Sequence, residues 1–115
     1  MEYEKRQHER ASCEFDSSFR DLDTEDPKPA AETIVHDISE GGLRFRANHF
    51  IPVRDKLLFR IHIPSQKTIE VVAQPAWIRE IPSLSQYDIG AKFLSLSPED
   101  KELIRQFTQS APFSV

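Results

Sequence analysis

Thr33-Ile34-Val35-His36-Asp37-Ile38-Ser39-Glu40-Gly41-Gly42-Leu43-Arg44-Phe45-Arg46-Ala47-Asn48 decides how the chain folds. Residues 33–38 are a short run rich in β-formers. Glu40-Gly41-Gly42 breaks it, and Leu43, Phe45 and Ala47 then alternate with Arg44, Arg46 and Asn48. Alternation puts apolar side chains on one face of a strand and polar ones on the other, so the stretch reads as a hairpin with one apolar face. The same period recurs downstream. Leu57, Phe59, Ile61 and Ile63 alternate with Leu58, Arg60 and His62 up to Pro64; Ile69, Val71 and Ala73 lead on toward Trp77; Ile89, Ala91 and Phe93 share a face of residues 87–93. Pro75 lacks an N–H donor and predicts an edge or a bulge in the fifth strand. Upstream, the spacing of Cys13 and Phe15 within residues 11–19 permits a first strand, and residues 21–31, with Pro27 and Pro29, read as a long loop.

Ser97-Pro98-Glu99-Asp100 is a helix start: a serine that can cap, a proline suited to the first helical position, and two acids at the positive end of the helix. Leu103, Ile104 and Phe107 then form one apolar stripe. Six period-2 segments followed by one helix predict a mainly β fold, a closed six-stranded antiparallel β-barrel with a C-terminal α-helix. Residues 11–115 form that domain. Residues 1–10, with three bases, three acids and no apolar period, are expected to be a flexible N-terminal arm.

At 115 residues the chain has room for one core, to which eight Phe contribute. No run of apolar residues exceeds three, which excludes a membrane-spanning helix and the apolar stretch of a secretory signal, so a cytoplasmic location is expected. A formal charge of −4 argues against binding long nucleic acid by bulk attraction. The charge is uneven: residues 14–26 are acidic, whereas residues 43–62 carry Arg44, Arg46, Arg54, Lys56 and Arg60 against Asp55. Arg44 and Arg46 lie opposite Leu43 and Phe45 and read first as a solvated face, with added positive potential for phosphates as the second reading. Cys13 stands alone, and His8, His36, His49 and His62 are not paired at metal-site spacing, so no metal or cofactor is expected. There is no phosphate-cradling glycine loop, serine elbow or His-Glu metal motif, and the chain is not read as an enzyme.

Two segments carry chemistry. Arg6 and Arg10 stand four apart in the arm, and Asp37-Ile38-Ser39-Glu40-Gly41-Gly42 sets a carboxylate, a hydroxyl and two glycines at a turn. Alone, the arginines are ordinary in a charged tail, and Asp37 and Ser39 are satisfied by bonding the turn backbone while Gly41 and Gly42 take positive φ. Together they suit one ligand. A guanidinium matches phosphate oxygens or the O6/N7 edge of guanine, and can stack on the base. A carboxylate only accepts, and complements the N1–H and N2–H₂ donors on guanine's opposite edge.

Arg6-x-x-x-Arg10 followed by Asp37-x-Ser39-x-x-Gly42 resembles the two motifs of the PilZ domain. The similarity continues through Ala76-Trp77-Ile78, through Tyr87-Asp88-Ile89-Gly90-Ala91-Lys92-Phe93 and into the closing helix, from about Lys5 to Phe107. The resemblance implies a bacterial receptor for the second messenger cyclic di-GMP, acting in motility, attachment and biofilm formation by binding rather than turnover. Arg6 and Arg10 would hold guanine and phosphate, Asp37 and Ser39 would bond a guanine from the barrel rim, and Gly42 would allow close packing. Lys5, where family members often carry a further arginine, is a secondary candidate, as are Gly41 and Trp77. Arg54-Asp55 stands where the family usually has Gly-Asp before the fourth strand. Ligand binding would order the arm and signal by shape to a downstream protein partner, with the domain a monomer or homodimer. The competing reading is a PilZ-like protein-interaction module with little or no nucleotide affinity. A single-strand nucleic-acid barrel is weaker still for a chain this acidic.

Overall fold

The computed structural model describes residues 10–24 and 29–110. The chain forms β1 (Arg10–Asp21), β2 (Ala31–Ser39), β3 (Gly42–Ala47), β4 (Leu57–His62), β5 (Thr68–Ile81) and β6 (Gln86–Ser95), then helix α1 (Pro98–Ser110). Every pairing is antiparallel, and the order β1-β2-β3-β6-β5-β4 closes on itself through β1 and β4. The closed six-stranded barrel with a C-terminal helix expected from the alternation is the observed fold.

Outside β1 and β2, whose bulges shift the alternation, the inward positions are those the period selects. Val35, Ile38, Leu43, Phe45, Leu57, Phe59, Ile61, Ile69, Ala73 and Ile89 are at most 1% exposed. Phe45 packs edge-on to Phe59 with ring centroids 4.9 Å apart, and Phe19 lies within 5.1 Å of Phe45 and 5.6 Å of Phe59. Three rings from three strands thus meet in the interior, and burying each contributes about 2 kcal/mol or more. On α1, Ile104 is buried and Leu103 and Phe107 pack against the core, Phe107 meeting Phe15 of β1 at 5.0 Å. Ser97 caps the helix as its sequence predicts, its Oγ accepting from the Asp100 N–H at 3.1 Å.

Four irregularities interrupt the strand ladders, one of them a register shift between Val72 and Ala73 of β5. Between the pairs Ser12↔Asp37 and Phe15↔Val35, β1 carries an extra residue, and Cys13 there sits with its thiol 3.4 Å from the Val35 carbonyl. Between Val35↔Phe45 and Asp37↔Arg44, β2 carries an extra residue, His36. That bulge lets both Val35 and Ile38 point inward while Asp37 faces out. In β5 the register shifts between Pro75 and Trp77, which is the bulge that Pro75 predicted.

The turn glycines correct one expectation: neither Gly41 nor Gly42 has positive φ. Among the described residues the left-handed positions are Ser65 (φ 63°) and Ser85 (φ 52°), the latter ending the short turn Pro82–Leu84, with its N–H bonded to the Pro82 carbonyl. Gly42 is required for another reason. A Cβ there would lie 2.2 Å from the Ala91 carbonyl oxygen of β6, so only glycine lets β3 and β6 come together. The acidic stretch also divides: Glu14, Asp16 and Asp21 belong to β1, and the connection proper begins at Leu22.

Candidate functional site

Arg10 opens β1 and pairs with Ser39, the last residue of β2. The backbone of the second motif arginine therefore adjoins the Asp37–Gly42 turn at one end of the barrel. Lys5 and Arg6 lie outside the described residues.

The turn is tied from within and from both flanks. Ser39 is 3% exposed; its Oγ accepts from the Gly41 N–H at 3.1 Å and lies 3.5 Å from the Gly42 carbonyl. The Gly41 carbonyl accepts from the Phe93 N–H at 2.9 Å. Glu40 receives a fork from the helix: Arg105 Nε meets Oε2 at 2.9 Å and Nη2 meets Oε1 at 3.0 Å. This two-pronged pair links the turn to α1, and the glutamate raises the Arg105 pKa.

Across the outer face, one row of paired residues crosses five strands: Ser12 on β1, Asp37 on β2, Arg44 on β3, Gly90 on β6 and Trp77 on β5. From Asp37 to Trp77 this spans about 14 Å at the usual strand spacing of about 4.8 Å. The Trp77 indole covers Gly90, where a Cβ would stand 2.2 Å from Nε1, and the side chain remains 44% exposed. Trp77 is thus a rim aromatic and not a core residue.

Arg44 is not the solvated side chain its alternation suggested. Its Nε donates to Asp37 Oδ2 at 2.8 Å, and its Nη1 donates to both oxygens of Asp88, at 3.0 and 3.2 Å. Asp88 is 1% exposed and also accepts from Arg79 Nη2 at 2.9 Å. These bonds raise the Arg44 pKa, Asp37 foremost. Beside this network, burial and then Arg44 and Arg46 lower the His36 pKa, and burial reinforced by Asp37 pushes the Cys13 thiol up to about 12, which leaves it an unreactive thiol. Sequence reading passed over Asp88. Its one signal is an acid at an outward position between Tyr87 and Ile89, in the strand that also supplies the Trp77-covered glycine.

Away from this end, Asp21, Asp23 and Asp55 have carboxylate oxygens within 4.8 Å of one another. Asp21 accepts from the Asp23 N–H at 2.8 Å and Asp23 from the Lys56 N–H at 2.6 Å. Asp55 shares a hydrogen bond with Asp21, which, with burial, raises its pKa to about 6. Among the described residues no helix is long and apolar enough to cross a membrane.

The fold has clear relatives. With 18% identity and a TM-score of 0.78, the Bacillus subtilis inhibitor of motility, MotI/DgrA, matches 93% of the chain, which covers 51% of that protein. YcgR from Escherichia coli in complex with c-di-GMP matches at 16% identity and a TM-score of 0.71, over 93% of the chain and 46% of YcgR. The isolated PilZ domain of YcgR with c-di-GMP matches at 15% identity and a TM-score of 0.66, over 93% and 91%. The chain therefore spans about half the length of the first two. No curated protein matches the sequence. A family model for the PilZ domain matches residues 4–110, nearly the whole chain, and the chain belongs to the PilZ domain family.

Proposed function

We propose that the chain is a receptor for cyclic di-GMP, bound between the arm that carries Arg6 and Arg10 and the Asp37–Gly42 turn. The observation that carries this is the pairing of Arg10 with Ser39, which joins the ends of two separate motifs at one edge of the barrel. Arg6 and Arg10 supply guanidinium donors to phosphate and to the guanine O6/N7 edge. Asp37 accepts from guanine N1–H and N2–H₂, Ser39 adds its hydroxyl at the rim, and Gly41 and Gly42 admit close approach. Trp77, exposed in the same row as Asp37, offers a stacking face, and Lys5 adds charge next to Arg6. Binding draws Arg6 onto the ligand beside β1 and presents a new surface to a downstream protein in the cytoplasm. The Glu40–Arg105 fork gives the turn a direct path to α1. The activity is binding, with no chemical step.

One observation favours the alternative, a protein-interaction module with little nucleotide affinity: Asp37 and Ser39 both have partners within the fold. Titration calorimetry separates the two. Saturable binding of cyclic di-GMP, with none of GTP or cyclic di-AMP, and a loss of about 100-fold or more in the Arg10→Ala/Asp37→Ala double variant are expected, since each charged hydrogen bond is worth about 1.5–3 kcal/mol. Absence of binding to the wild-type chain at high ligand concentration would leave the interaction module.

A further inference from the structure

Asp88 is a carboxylate withdrawn from water on the outer face of a small barrel, and burying such a group costs several kcal/mol unless its partners are well placed. Asp88 and its partners, replaced together by apolar residues of similar volume, would often leave stability unchanged or raise it. Its partners point to another purpose. Arg44 bonds both Asp88 oxygens with one nitrogen and reaches Asp37 with another, so that it is held from one side and holds from the other. Arg79 closes the far side of Asp88 while staying 71% exposed itself. Two acids and two guanidiniums alternate in the order Asp37, Arg44, Asp88, Arg79, and their charges cancel.

Asp37 needs such support. It follows the extra residue His36, where the regular pairing of β2 with β3 is interrupted. The last torsion of an aspartate side chain is also broad, so the backbone alone does not fix the plane of the carboxylate. The 2.8 Å bond from Arg44 Nε to Oδ2 restrains that plane. For an acceptor that must meet two parallel N–H donors of one base, the plane decides whether one bond forms or two.

We infer that Arg44 and Asp88 are positioning residues that set the orientation of the Asp37 carboxylate and thereby the selectivity of the site for guanine, with Arg79 as outer support. This rests on the receptor reading above and extends it from the ligand to the source of base discrimination. The cluster acts through geometry: hypoxanthine, which keeps N1–H but lacks the 2-amino group, offers the carboxylate one donor fewer.

The test compares cyclic di-GMP with its hypoxanthine analogue, cyclic di-IMP, by calorimetry on the full chain. The wild type is expected to prefer the guanine ligand by about tenfold or more, the worth of one charged hydrogen bond. In Asp88→Asn and in Arg44→Gln the preference falls to about threefold or less, although one removes a negative charge and the other a positive one. Arg79→Gln, a change at an exposed side chain, is expected to give an intermediate value and decides the matter should the other two fail to fold. A wild-type preference retained in the folded variants, with affinity rising in Asp88→Asn and falling in Arg44→Gln, would overturn the inference by showing that the cluster acts only through net charge. A wild-type chain that binds neither ligand would overturn the receptor reading and this inference with it, an outcome read before any variant is made.

Discussion

Two groups of aspartates lie toward opposite ends of β1 and solve the same problem differently. Near Arg10, Asp37 and Asp88 are linked by Arg44 and backed by Arg79, an alternation of charges that lets Asp88 be almost fully buried. Near Asp21, a strand length away, Asp21, Asp23 and Asp55 gather with no arginine bridging them among the described residues, and Asp55 responds by holding its proton up to about pH 6. Counter-ions keep the first group of acids available as fixed acceptors. The second group lowers its own repulsion by sharing a proton. The ligand motif belongs to the first arrangement. Of the acidic stretch that the sequence displays so prominently, Asp21 and Asp23 belong to the second.

The largest effect expected is from a change that breaks the first arrangement without touching a charge. Gly42→Ala sets a methyl against the Ala91 carbonyl, 2.2 Å away, and must push β3 from β6 two residues from Arg44 and its hold on Asp88. A loss of about 2–3 kcal/mol is expected in denaturant unfolding, together with weaker ligand binding. A stability equal to that of the wild type would show that the close approach of the two strands is not needed.

A smaller effect sharpens the contrast from the other end. With a folded pKa near 6 against an ordinary value of 3.8, protonated Asp55 stabilises the fold fully below about pH 4, and that contribution is lost as pH rises through about 6. Asp55→Asn keeps a hydrogen-bond donor toward Asp21 at every pH. The variant is expected to match the wild type near pH 4 and to melt about 2–4 °C higher at pH 7.5. The modest size reflects the partial solvent exposure of the group. An unchanged difference between the two melting curves across that range would rule out the shared proton.

The fold was legible because the strands from β3 onward show their period: Leu43-Arg44-Phe45 and Leu57-Leu58-Phe59 each declare which face is inward. The helix start at Ser97 and the bulge at Pro75 were equally local signals. The motif turn was legible as residues but not as conformation, because glycine serves both positive φ and close approach, and only the position of Ala91 distinguishes the two. What could not be read was pairing over distance. Arg44 and Asp88 are 44 residues apart, joined by the β3–β6 neighbourhood that barrel closure creates, and Asp21 meets Asp55 only because β1 closes the barrel against β4. Charge tallies along the sequence record such residues as solvated, since the partner that removes them from water lies on another strand.

The most direct test of where the ligand site lies is a titration of isotope-labelled protein with cyclic di-GMP, followed amide by amide by NMR. Saturable shifts are predicted at Arg10, across Asp37 to Arg44, at Gly90 and at Trp77, with the amides of Asp21, Asp23 and Asp55 unmoved. Shifts confined to the Asp21–Asp55 end, or none at saturating ligand, would contradict a site built on the turn.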